Sequence, residues 1–150
     1  MATTKTAPSS RNAADGKGFT SEEKAAMRER AKEQKAANDK EGGRKQLLAK
    51  LAELTEPDKS VARRVHEVVS TAVPELDWTT WYGMPAYARG GKVICFFQPA
   101  SKFKARYSTF GFSDEATLDD GAFWPTSYAV TELSATDEKR IAELVKKAVG

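Results

Sequence analysis

The segment Lys92–Gln98, centred on Val-Ile-Cys-Phe-Phe, constrains the fold of this chain most strongly. As an alternating strand it would set Val93, Cys95 and Phe97 on one face and Ile94 and Phe96 on the other. A strand that is apolar on both faces belongs in the middle of a sheet, with cover on each side. Arg89-Gly90-Gly91-Lys92 just before it reads as a hairpin turn, since adjacent glycines supply the positive φ angles that tight turns require. Upstream of that turn, Trp78–Tyr82 and Pro85–Ala88 read as neighbouring strands. Downstream, Lys102–Tyr107 alternates strictly, with Phe103, Ala105 and Tyr107 pointing one way and Lys102, Lys104 and Arg106 the other, so a half-buried strand is expected. The carboxylate-rich stretch Ser113–Phe123 is a polar connection, and Pro125–Val130 supplies another strand.

Helical periodicity brackets this region. Leu47, Leu48, Leu51 and Leu54 form one apolar stripe, and Val61, Val65, Val68, Val69 and Ala72 form a second that Pro74 stops, with Thr55 as a cap and Pro57 in the first turn. Ser134 or Thr136 opens a last helix, in which Ile141, Leu144, Val145, Ala148 and Val149 share a face. The expected fold is α+β: an antiparallel sheet of about five strands with helices before and after it, in a two-layer sandwich over residues 44–150. Residues 1–18 have almost nothing to bury and read as a disordered tail. Thr20 and Glu23 have capping-box form, with Phe19 as a staple, and predict a helix over Ser21–Ala37. Its apolar side chains are Met27 and alanines, so it reads as solvated or loosely docked, and Gly42-Gly43 reads as the break that ends it.

A single cysteine, Cys95, excludes an internal disulfide and a paired-cysteine metal site, and inside its apolar run it reads as a small buried hydrophobe. No stretch resembles a signal peptide or membrane span, which makes the cytoplasm the expected location and gives no membrane partner. The first 45 residues carry 11 basic and 7 acidic side chains, against 13 and 14 in the remainder, so the basic excess belongs to the tail. Its interspersed acids and near-absence of aromatic residues, Phe19 being the single one, argue against nucleic acid as the partner. The lone histidine, His66, reads as structural rather than catalytic or metal-binding.

Two groups of residues stand out as candidate sites. Trp81, Tyr82, Met84, Pro85 and Tyr87, together with Lys102, Lys104, Arg106 and Tyr107, combine aromatic rings with cations, a composition suited to an anionic or aromatic small-molecule or protein ligand. The carboxylates form two sets, Asp114, Glu115, Asp119 and Asp120 in the polar connection, and Glu56, Asp58, Glu67, Glu75 and Asp77 around the second stripe and the entry to the sheet. Hard cations such as iron prefer oxygen ligands, although the spacing matches no calcium loop and solvated surface charge is the plainer reading. No nucleophile and base are paired in a way that suggests an enzyme.

From about Leu47 to Val149, the motif Tyr82-Gly83-Met84-Pro85-Ala86, the following Lys102–Tyr107 segment and the later Ala-Phe-Trp-Pro-Thr-Ser-Tyr-Ala-Val run resemble the YdhG-like family of small bacterial proteins. The resemblance implies an α+β sheet flanked by helices and a frataxin-like role: a non-enzymatic iron chaperone that binds iron weakly through surface carboxylates and hands it to an acceptor protein for cluster or haem assembly. Relatives carry a histidine where this chain has Phe103, so a role resting on that imidazole does not transfer. The alternative reading is a binding module that uses the aromatic and cationic surface around Trp81–Tyr87.

Overall fold

The computed structural model describes residues 20–37 and 40–150. The expected tail over residues 1–18 and the Phe19 staple lie outside the described residues. Among the described residues, three helices precede the sheet, α1 (Ser21–Ala37), α2 (Lys40–Glu53) and α3 (Asp58–Ala72), and α4 (Ala135–Val149) follows it. Between them run β1 (Asp77–Trp81), β2 (Met84–Arg89), β3 (Lys92–Gln98), β4 (Ser108–Phe112) and β5 (Ser127–Val130). Each strand pairs antiparallel with its sequence neighbour, in the order β1-β2-β3-β4-β5. The chain is therefore an α+β fold in which helices flank a five-stranded antiparallel meander, as the periodicity predicts. No helix among the described residues is long and apolar enough to cross a membrane.

Register assigns the faces of the sheet. Trp78 pairs with Tyr87, Tyr87 with Cys95, and Cys95 with Phe112, which puts these side chains on one face. They share the core with Leu47 and Leu51 of α2, Val65 and Val69 of α3, and Ile141 and Val145 of α4. Full burial of each such aliphatic side chain stabilises the fold by about 1.5–3 kcal/mol. On the other face, Trp81, Met84, Ala86, Phe96 and Gly111 lie in register. The Phe96 ring lies over Gly111 so closely that a Cβ there would meet ring carbons at 2.5–3.0 Å.

Sequence periodicity misplaces four features. Ile94 does not share the Phe96 face: Tyr87 pairs with Cys95 but Ala88 pairs with Val93, so Ile94 is an extra residue in a β-bulge and joins Cys95 in the core. The carbonyls at the bulge are taken by Ser113, whose N–H donates to Ile94 O at 3.0 Å and whose hydroxyl donates to Val93 O.

Lys102–Tyr107 is not a strand but a run of turns, and residues 101–107 are all exposed. Ala105 N–H donates to Ala100 O, Lys104 has a φ of 54°, and buried Asp58 holds the start of the loop by accepting from Ser101 N (2.9 Å) and Ser101 Oγ (2.6 Å). Strict alternation here has no buried side, and the strand begins at Ser108.

Gly42-Gly43 does not end a helix. Both glycines lie inside α2, and a Cβ on Gly43 would come within 2.5 Å of the Trp78 carbonyl oxygen. The bare backbone lets the helix approach β1, a reason for glycine that periodicity does not reveal.

Thr55 does not cap α3 through its side chain. The cap position is Pro57, which makes no side-chain cap bond, and Thr55 contributes its carbonyl to Lys59 N–H instead. α4 does begin with a capping box, built by Ser134 and Asp137.

Candidate functional site at the Tyr82–Gly83 turn

Trp81 pairs with Met84, so β1 and β2 are joined by the two residues Tyr82 and Gly83 alone. Both have positive φ, 52° and 79°, which suits a two-residue hairpin turn. Asn-Gly is the common solution; a bulky tyrosine in this conformation costs about 1–2 kcal/mol. The turn presents two successive backbone N–H groups, a geometry that makes an anion-binding concavity.

A carboxylate occupies that concavity. Glu33 of α1, fully buried, accepts from Tyr82 N–H at 2.6 Å and from Gly83 N–H at 2.5 Å. Arg30 lies 3.6 Å from the same carboxylate and stacks its guanidinium over the half-exposed Tyr82 ring at 5.2 Å. One helical turn before Glu33, Glu29 accepts from Lys50 Nζ of α2 at 2.7 Å. Lys102, from the loop after β3, donates to Gly83 O at 3.0 Å, and a Cβ on Gly83 would collide with that ammonium. An open hollow of about 350 Å³ adjoins the two lysines, bordered by Thr55, Gly83 and Ser101.

The electrostatics of this cluster are uneven. The Lys50 hydrogen bond holds the Glu29 carboxyl below the ordinary glutamate range, with partial burial opposing it. Burial pulls the Lys50 ammonium down, and its bond to Glu29 together with the charges of Glu29 and Glu53 more than restores it, so its pKa is raised. Lys102 goes the other way: burial and the nearby Lys50 charge push it down, and the surrounding glutamates offset this only in part. The Lys102 ammonium therefore lacks a carboxylate of its own. Lys102 is exposed along its side chain, so its ammonium is accessible to an added anion.

The structure divides the expected ligand surface. Tyr82, Trp81 and Lys102 come together, with the Trp81 ring 5.4 Å from Tyr82 and 5.3 Å from Phe96. Met84 is buried on the same face as Trp81. Pro85 and Tyr87 lie on the opposite, helix-covered face, where Tyr87 Oη is 2.9 Å from His66 Nδ1. Lys104 and Arg106 share no strand face with Lys102, because no strand exists there, and Arg106 instead covers the Tyr107 ring at 5.0 Å. Glu29, Glu33 and Lys50 are additions that sequence reading missed.

The carboxylate sets are dispersed as well. Glu56 accepts from Ser60, Asp58 from Ser101, Glu67 pairs with Arg64 at 3.2 Å, Asp77 with Lys40 at 3.8 Å and Glu115 with Lys92 at 3.9 Å. Glu75 and Asp120 are exposed. Asp114 and Asp119 border one hollow of about 400 Å³ beside Phe123 and Trp124. Among the described residues, no three His, Cys, Asp or Glu side chains are grouped to hold a metal ion. Burial pushes the Cys95 thiol well above its ordinary range, so it stays protonated. Comparison with protein-family models, with curated proteins and with solved structures finds no match to this chain.

Proposed function

We propose that this protein is a non-enzymatic binding module that recognises an anionic group, a carboxylate above all, at the Tyr82–Gly83 turn. One observation carries the reading: two successive N–H groups of a strained turn converge on a fully buried carboxylate, with lysine ammonium groups on either side. A turn needed only to reverse the chain would use Asn-Gly and meet no carboxylate. Charge-assisted bonds from fixed backbone donors recognise charge and shape without reorganisation, and the Tyr82 and Trp81 rings supply an apolar wall.

The test is an amide-resonance titration of a Glu29→Ala/Glu33→Ala chain with glutarate. Resonances of Tyr82 and Gly83 shift on binding, and Lys102→Ala in the same background weakens it measurably, as expected for loss of the cation beside the turn. Unmoved Tyr82 and Gly83 resonances at high glutarate concentration would sink the reading.

The iron reading implied by the YdhG-like resemblance finds its support in Asp114 and Asp119, which border a common hollow. Two carboxylates suit weak, exchangeable binding of a hard cation. Anaerobic ferrous titration should broaden the signals of residues 114–119 if that reading is correct, and leaves them sharp if it is not.

A further inference from the structure

We infer that the ligand of the Tyr82–Gly83 site is an acidic helix carrying two glutamates one turn apart in a partner protein, and that α1 is an exchangeable internal copy of it. The inference rests on the anion-site reading above and adds the class of partner.

The pattern is on α1 itself. Glu29 and Glu33 are four residues apart and so project from one face, one to Lys50 and the other to the turn N–H groups. Arg30 between them covers Tyr82. The site therefore reads a Glu-Arg-x-x-Glu helix face by two carboxylate contacts and one cation–aromatic contact.

What holds α1 in place also makes it replaceable. Glu33 is the one buried side chain among the described side chains of this helix, and Met27, its largest apolar one, is 49 % exposed. Among the described side chains, docking thus rests on polar contacts, which water and another carboxylate can both satisfy, rather than on apolar ones. With α1 in place, the hollow beside Lys50 and Lys102 stays open; Glu53 also borders it and pairs with Lys50 at 3.6 Å, so the foothold it gives an incoming acidic side chain is the Lys102 ammonium. A tethered helix competes at an effective concentration in the millimolar range, so a partner helix binds the intact chain weakly and the unplugged site well.

The experiment compares the full chain with its Glu29→Ala/Glu33→Ala variant, using a fluorescent peptide of residues 20–37 as the probe. The variant should bind the peptide at least about tenfold more tightly than the unaltered chain, since its site is no longer filled from within. A peptide with both glutamates changed to glutamine should not bind. If the variant binds glutarate but not the peptide, the helix inference falls and the anion site stands; if it binds neither, both fall. Equal binding of the glutamine peptide also overturns the inference. Should the double variant fail to fold, hydrogen exchange on the unaltered chain decides. Excess peptide should speed exchange of the α1 amides while those of Tyr82 and Gly83 stay protected, and unchanged α1 protection is the contrary result.

Discussion

Gly83 meets two demands at once, a φ of 79° and room for the Lys102 ammonium, whereas Gly90 in the next turn has a φ of 60° and open space around it. Alanine at either position strains the backbone, so Gly90→Ala should cost about 1 kcal/mol and Gly83→Ala measurably more, read as urea midpoints at constant slope. Equal losses would mean that Lys102 gives way freely. His66 offers a second residue-scale test. Burial depresses its pKa below the ordinary imidazole value of 6.5, with Glu67 opposing weakly, and its Nδ1 faces the buried Tyr87 hydroxyl. The unfolded chain then binds the proton first, so stability is full above about pH 6.5 and declines as pH falls toward the depressed folded value. A His66→Phe chain should lose stability overall, by about 1–3 kcal/mol for the orphaned Tyr87 hydroxyl, yet lack that particular slope. Tyr82 and Lys102 were legible as site residues because aromatic and cationic groups stand out in sequence. Glu33 was not: one carboxylate in a charged, solvated helix looks like its neighbours until the fold brings backbone donors to it.

At the level of elements, the helix pattern was legible wherever a helix buries a stripe, as α3 and α4 do, and illegible where something else decided. The alternating Lys102–Tyr107 run failed because period two implies a strand only when one face is buried, and Asp58 ties this segment into turns instead. Gly43 failed because propensity alone argues for a break. Gly43→Ala separates the two causes: helix propensity favours alanine by about 1 kcal/mol, but the Trp78 carbonyl stands where its methyl would go. Net destabilisation in thermal unfolding is expected, and a stabilised variant would show that α2 can retreat from β1 at little cost. The docking of α1 should also weaken in acid, as the His66 contribution does, but in the carboxylate range rather than the imidazole range. Glu29 has a depressed folded pKa through Lys50, so its contribution is complete above the ordinary glutamate range and disappears as pH falls through the lowered value. Exchange of α1 amides should accelerate in that acid window before the sheet amides respond.

For the whole molecule, the core among the described residues begins at Leu47, and none of the described side chains of α1 belongs to it. A chain starting at Lys40 should keep cooperative unfolding while losing the three bonds that Glu29 and Glu33 accept, each worth about 1.5–3 kcal/mol. Starting at Arg44 instead removes the first turn of α2 and the Gly43 contact with Trp78, and should cost more; identical midpoints would contradict this view of where the domain begins. Fold class was readable from the order of helical and strand patterns, whereas the boundary was not, because α2 enters the domain through glycines rather than through leucines. The meander also bears on how fast the molecule assembles. Every strand pairs with its neighbour in sequence, so each sheet pairing closes a short loop, while the Arg64–Glu138 bond between α3 and α4 spans 74 residues. Loop-closure entropy places the local pairings early and the long-range docking late. Substitutions in the β2–β3 hairpin should therefore slow refolding, and Glu138→Gln should chiefly speed unfolding, leaving the order of events written in the two arms of a denaturant chevron.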